Sequence, residues 1–374
     1  MTHRRVLSRT LSTTVGTLAL TVSLTAAMLS AAGPASAAAS TSVPTTRAAS
    51  PTLSWTDVAT GSTARFRGLS VVSDEVVWLG GYNGTVLRSV DSGAHWTSVG
   101  PSAAADLQFR DIEAMSEDHA VALTIGSGED SRVYVTVDGG RSWSESFRNT
   151  DANAFYDCLA FFDAKRGIAV SDPPDGKARI IATVDGGRSW RVVDNAGMPP
   201  ALAGEFYFAA SGTCLRAGKG RTAYLATGGG AEARVLTSTD WGRTWTAAST
   251  PLASSDSAGI FSVDFRTPRE GIVVGGDFLA PTTAGGNAAY TTDGGRTWLE
   301  PSAFPAGYRS GLSWMPGWRA ALAVGPSGTD VTWDGGRSWS VVDSGSFDAV
   351  ECGEHVCWAS GAGGRVGKLP VPER

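Results

Sequence analysis

Arginine beside an aromatic residue is the pairing in this chain most suited to chemistry. Arg67 follows Phe66, Arg110 follows Phe109, and Arg309 follows Tyr308. The same apolar-then-variable step recurs at Phe155-Tyr156, Phe206-Tyr207, Ile260-Phe261 and Phe347-Asp348. The variable position therefore reads Arg, Arg, Tyr, Tyr, Phe, Arg, Asp along the chain. A guanidinium is a planar fork that pairs with a carboxylate or phosphate through two parallel hydrogen bonds. Three of them in a chain of formal net charge −5 make a local cationic group suited to an acidic ligand. A second reading is internal: Asp111, Asp157, Asp348 or Glu205 neutralises each Arg and no site results. Both readings stand on the sequence.

The loop Ser171 to Lys177 is stiffened by Pro173 and Pro174 and projects Asp172 and Asp175. The candidate binding set is thus Arg67, Arg110, Tyr156, Asp157, Asp172, Asp175, Glu205, Tyr207, Arg309 and Asp348. Signatures of catalysis are missing. There is no strand–GxGxxG–helix unit for a dinucleotide, no C-x-x-C-H for haem and no G-x-S-x-G. His95, His119 and His355 are far apart in sequence, so neither a metal cluster nor a Ser-His-Asp triad is indicated. The expectation is a binding role with no cofactor, no metal and no catalytic residue.

The elements that position these residues are set by one repeated stretch. Thr183-Val184-Asp185-Gly186-Gly187-Arg188-Ser189-Trp190 recurs with small changes at Ser89–Trp96, Thr136–Trp143, Ser238–Trp245, Thr291–Trp298 and Thr332–Trp339. Its acids are Asp91, Asp138, Asp185, Asp240, Asp293 and Asp334, and its aromatics are Trp96, Trp143, Trp190, Trp245, Trp298 and Trp339. An Asp at a turn accepts from nearby backbone N–H groups, and Gly supplies positive φ. The Trp then opens the next strand with a large apolar face. Each copy reads as a hairpin turn with a structural Asp and Trp. In the copy at residues 89–96, His95 takes the place of Ser or Thr.

The acids recur every 41 to 55 residues. With several short strands per unit and no helical periodicity, that period belongs to a β-propeller and not to a solenoid. Units start near Arg65, Leu107, Ala154, Gly204, Ala258, Gly307 and Phe347. The last has no such turn, while Leu53 to Val58 resembles the strand that follows one. The two halves complete each other, giving an all-β, seven-bladed propeller whose last blade is closed by the N-terminal strand. The turn joins third and fourth strands on one face, and the candidate residues sit on the other.

The repeat is the Asp-box, or bacterial neuraminidase repeat. From Leu53 to Leu369 the chain resembles the photosystem II stability/assembly factor family and its exported bacterial relatives. That resemblance implies a non-catalytic scaffold that holds a protein segment during assembly of a larger complex. A sialidase-like hydrolase shares the boxes, but its Arg-Ile-Pro-type motif is absent and six blades are usual there. A xyloglucanase-like enzyme usually needs two propellers, and this chain has room for one. An oxidoreductase label has no cofactor motif behind it.

Residues 1–37 read as a signal peptide: Arg4, Arg5 and Arg9, then an apolar run, then Ala35-Ser36-Ala37. An uncleaved anchor is the alternative. Those residues carry three Arg and no acid, so the remaining chain is near −8, which opposes nucleic-acid binding. Residues 38–52 form an Ala/Ser/Thr/Pro linker, and 53–374 the propeller. The expected product is a secreted or cell-envelope monomer without a membrane span, whose partner is an extracytoplasmic protein, an acidic peptide segment or a glycan. Four cysteines in an exported chain imply disulfides. Cys352 and Cys357 flank a hairpin and pair locally. Whether Cys158 and Cys214 pair is left open.

Overall fold

The computed structural model describes residues 51–373. The signal-peptide reading of 1–37 and nearly all of the 38–52 linker lie outside the described residues. Seven antiparallel sheets follow one another in chain order, and they make a seven-bladed propeller. Blade 1 shows the plan. Its strands Phe66–Val71, Val77–Gly81, Val86–Ser89 and Thr97–Ser98 run from the central channel outward.

Burial follows that order. The second strand is packed on both faces by neighbouring blades, so Val77–Gly81 is buried throughout, whereas Thr97–Ser98 is exposed. This is why second strands read as unbroken apolar runs while outer strands are polar. The core is consequently a ring of inter-blade clusters and not one central mass. One cluster joins Leu79 and Leu87 of blade 1 to Trp358 and Val366 of blade 7.

The ring closes as the sequence indicated. Strand Thr56–Val58 pairs antiparallel with Val366–Pro370, with Asp57 opposite Gly367. Both cysteine pairs are bonded. Cys352–Cys357 ties its own hairpin, and Cys158–Cys214 ties blade 3 to blade 4. No helix among the described residues is long and apolar enough to cross a membrane.

The six turns share one hydrogen-bond pattern. At Asp185, the Thr183 hydroxyl donates to Oδ1 at 2.8 Å and accepts from Gly187 N–H at 3.0 Å. Ser189 donates its N–H to Oδ1 at 3.0 Å and its hydroxyl to Oδ2 at 2.6 Å. His95 fills the same role towards Asp91: its N–H lies 2.9 Å from Oδ1 and its Nδ1 lies 2.6 Å from Oδ2. Positive φ is needed at two successive positions, and Ser92 and Trp241 adopt it where other copies have glycine.

Two blades depart from the repeat. Blade 5 has three laddered strands, and its fourth is reduced to the Tyr290–Leu299 bridge. Pro301 has no N–H to continue that ladder, and the chain crosses to blade 6, where Ser302 N–H donates to Arg337 O. In blade 4 the sequence places the inner strand at Phe206-Tyr207, but the ladder starts only at Leu215–Ala217. Residues 206–213 are instead an irregular strap laid across the channel. Its Ser211 hydroxyl donates to Ser310 O of blade 6 at 2.7 Å.

Candidate functional site

Each regular inner strand opens on a buried anchor. Phe66, Phe109, Tyr156 and Ile260 are fully buried, and each is followed by a register shift in its ladder. The anchor's N–H reaches the blade before it: Phe66 to Gly361 O, Ile260 to Thr227 O, Phe347 to Gly325 O. Side chains alternate along a strand, so the residues on either side of an anchor face the funnel.

By the same N–H contact, to Gly275 O, the anchor of blade 6 is Arg309. The sequence alignment was one residue early there and in blade 3. A one-residue slip sends a side chain to the opposite face. Arg309 is accordingly 0% exposed and locked inside blade 6. Its Nε donates to Asp330 Oδ2 at 2.6 Å, and NH1 donates to Tyr308 O and Ser327 Oγ. Tyr156 is likewise an interior anchor, edge-on to Phe147. Two more candidates stand away from the mouth. Glu205 is buried against Arg234, with Nε to Oε1 at 2.8 Å, and Asp175 is exposed beside Arg179 at 3.8 Å.

The remaining candidates, Arg67, Arg110, Asp157, Asp172, Tyr207 and Asp348, line one funnel-mouth cavity of about 610 Å³. Arg65 joins them. It lies two residues before Arg67 and therefore on the same side of the strand, a period-2 signal the sequence does carry. It grips Asp348 with both prongs, Nε to Oδ2 at 2.7 Å and NH2 to Oδ1 at 2.6 Å. That bond raises the Arg65 pKa further. Arg67 sits 3.8 Å from the same carboxylate and donates to Ala210 O at 3.3 Å. Arg110 donates to Ala209 O at 2.5 Å and to Tyr82 Oη at 3.1 Å. Burial, reinforced by the Arg67 charge, lowers its pKa to about 10. The strap carbonyls thus orient two guanidiniums without neutralising them.

Asp157 and Asp172 form a second feature of the floor. Asp172 N–H donates to Asp157 Oδ2 at 3.1 Å, and Tyr207 N–H donates to Asp172 Oδ1 at 2.7 Å. The backbone bond packs the two buried carboxyls side by side on the cavity floor. Burial pushes Asp172 up to about 6 and Asp157 well above the usual range, the latter helped by the charge of Asp172. The same cavity is lined by aromatic rings, Phe155 and the mutually packed Phe206, Phe208, Phe261, Phe278 and Tyr308. The sequence reading did not include these rings as a group, although Phe206-Tyr207-Phe208 is a visible aromatic run.

Deeper in the channel, Arg216 faces Asp264, Glu351, Glu113 and Asp111. Burial opposes its charge, but the four acids outweigh burial and raise its pKa. Glu113 is driven up to about 7 by burial, with Glu351 adding to the shift.

No protein-family model and no curated protein matches the chain. Solved structures do. A structure of YCF48 bound to D1 peptide is 14% identical with a TM-score of 0.58, covering 85% of this chain and 95% of that one. YCF48 from Cyanidioschyzon merolae is 16% identical with a TM-score of 0.56, covering 84% and 98%. A structure of U3-55K is 12% identical with a TM-score of 0.57, again covering 84% and 98%. At these identities the likeness is one of fold.

Proposed function

We propose that this chain is an exported, non-catalytic Asp-box propeller that holds an acidic segment of another protein in its funnel mouth. The carrying observation is the 610 Å³ cavity with Arg65, Arg67 and Arg110 along one side. Asp348 balances one of these cations. Burial raises the pKa of both Asp157 and Asp172, so the pair offsets less than two free carboxylates would. The mouth is then net cationic in a net-acidic chain, the arrangement that favours an anionic partner. The YCF48 structure that carries a D1 peptide supports a peptide ligand for this architecture. Two disulfides support an oxidising compartment.

A glycoside hydrolase gains nothing from the acid pair. Retaining enzymes hold their carboxyls about 5 Å apart and inverting ones farther, on either side of a sugar, whereas Asp172 gives its own backbone N–H to Asp157 Oδ2 at 3.1 Å, and both acids are buried in the floor. The test is capture from cell-envelope extract with wild-type protein and an Arg67→Gln/Arg110→Gln variant, which leaves Arg65 bound to buried Asp348. A protein retained by the first and lost with the second, at unchanged Tm, supports the reading. Equal capture by both would overturn it.

A further inference from the structure

We propose that the aromatic half of the mouth is an apolar subsite. The held segment would then carry a bulky apolar side chain adjacent, or next but one, to its acidic residue. This rests on the peptide-holding reading above and adds a second requirement to it.

The wall is built in advance. Phe208 and Phe261 stack at 3.8 Å with their planes 14° apart, and Tyr308 meets Phe261 edge-on at 4.7 Å. Phe206 closes on Phe208 at 5.0 Å. Room for the Phe208 ring comes from two glycines. A Cβ on Gly228 would lie 2.4 Å from Phe208 Cε2, and one on Gly259 would lie 2.9 Å from it. Above this stack, the loop after Asp277 holds Phe278 and Leu279 in solvent, 43% and 75% exposed. The loop is tied down. Phe278 N–H donates to Ser257 O, Leu279 N–H to Asp277 Oδ1, and Pro281 O accepts from Tyr308 N–H and Ser327 Oγ. Single exposed apolar residues are ordinary, but Phe278 lines the cavity and meets Phe208 and Phe261 edge-on, so it carries the wall out to solvent with Leu279 next to it in the chain.

The cationic and aromatic halves share one strap. Ala209 and Ala210 offer their carbonyls to Arg110 and Arg67, while Phe206 and Phe208, just before them, belong to the wall. An occupant lying along the strap touches both halves, which fixes the close spacing of its two features. A peptide fits better than a sugar acid. Stacking on a sugar needs an open ring face, and Phe208 and Phe261 cover each other's faces. What the wall offers is edges and Phe278, which stands at 76° and 79° to them.

The test is selection of displayed random peptides on the folded chain, repeated on a Phe278→Ser/Leu279→Ser variant. Both replaced side chains are solvent-exposed, so Tm should hold. The expected winners pair Asp or Glu with Phe, Tyr, Trp or Leu within two positions. The loop variant should bind them about tenfold more weakly. Replacing the apolar residue of a winner should weaken it on wild type and do nothing further on the variant. Acidic winners without an apolar neighbour, or equal binding by the loop variant, would overturn the subsite and leave the cationic mouth standing. Winners lacking acids, or no enrichment, would overturn both readings. Displacement of winners by an oligomeric uronic acid at similar concentration would make the site a glycan site and overturn the peptide assignment.

Discussion

The two faces of this propeller treat the same side chain in opposite ways. On the turn face, Asp91, Asp138 and Asp293 are held down to about 2. The donors are the His95 N–H, the Ser142 hydroxyl and the Thr297 hydroxyl respectively. On the funnel side burial dominates, so Asp172 rises to about 6 and Glu113 to about 7. Donated hydrogen bonds favour the carboxylate and desolvation favours the acid. The turn acids are therefore fixed charges that pin hairpins. At Asp157, Asp172 and Glu113 burial favours the neutral acid instead, and Asp172, near 6, makes the potential of the mouth follow pH.

The strongest way to break this contrast is at Asp330, a buried acid of the funnel side whose own cation is Arg309. Arg309→Met strands that carboxylate and should destabilise by about 3–5 kcal/mol in chemical denaturation. A near-neutral variant would mean that the pair is not interior. Next is the turn face. Asp185→Ala removes the acceptor of three bonds from Thr183 and Ser189 and should lower stability by roughly 1–2 kcal/mol with peptide binding unchanged. A binding defect at constant stability would show that the turn is no mere hinge pin.

The pH behaviour of the mouth sharpens the contrast. Affinity for an acidic peptide should rise on the order of tenfold as pH falls through about 6, because the Asp172 pair loses its negative charge there. Asp172→Asn should bind tightly across the range and flatten the profile; a profile unchanged by this variant would exclude the pair as the cause. Stability follows the same signs. Glu113 keeps its proton in the folded state up to about 7 and releases it in the unfolded chain near its ordinary value. Its contribution is therefore present at low pH and lost as pH rises between those limits. Glu113→Gln should raise Tm near pH 8 and leave it alone near pH 4. The turn acids run the other way and lose their contribution only as pH falls towards 2. Smallest of all, His95→Ser should leave Tm within error, since Ser makes both bonds in the sister turns.

The repeats made the architecture legible because a turn motif is a local device: Thr183, Asp185, Gly187 and Ser189 satisfy one another without help from elsewhere. Blade closure was legible for the same reason, as a strand without its turn at one end and strands without it at the other. The mouth was harder. Its lining depends on a parity that one residue reverses, and the aligned positions Tyr308 and Phe155 imitate anchors while facing the funnel. The true anchor of blade 6 is a charged residue, Arg309, which no apolar pattern could flag. The strap at 206–213 escaped because its partners, Arg67, Arg110 and Ser310, come from three other blades. The Asp157–Asp172 contact likewise joins a strand end to a loop, and nothing local announces it.

The seam in blade 7 also bears on what an incomplete chain exposes. Thr56–Val58 is the first of the described strands, and its partner Val366–Pro370 is the last of them. The other six blades take all their strands from residues 66–343 and share none with this seam. A chain released short of its final twenty residues or so has two bare sheet edges, the kind of surface that recruits other strands. The ring is thus a latch whose catch is the strand Val366–Pro370: without it, Thr56–Val58 has no ladder to join.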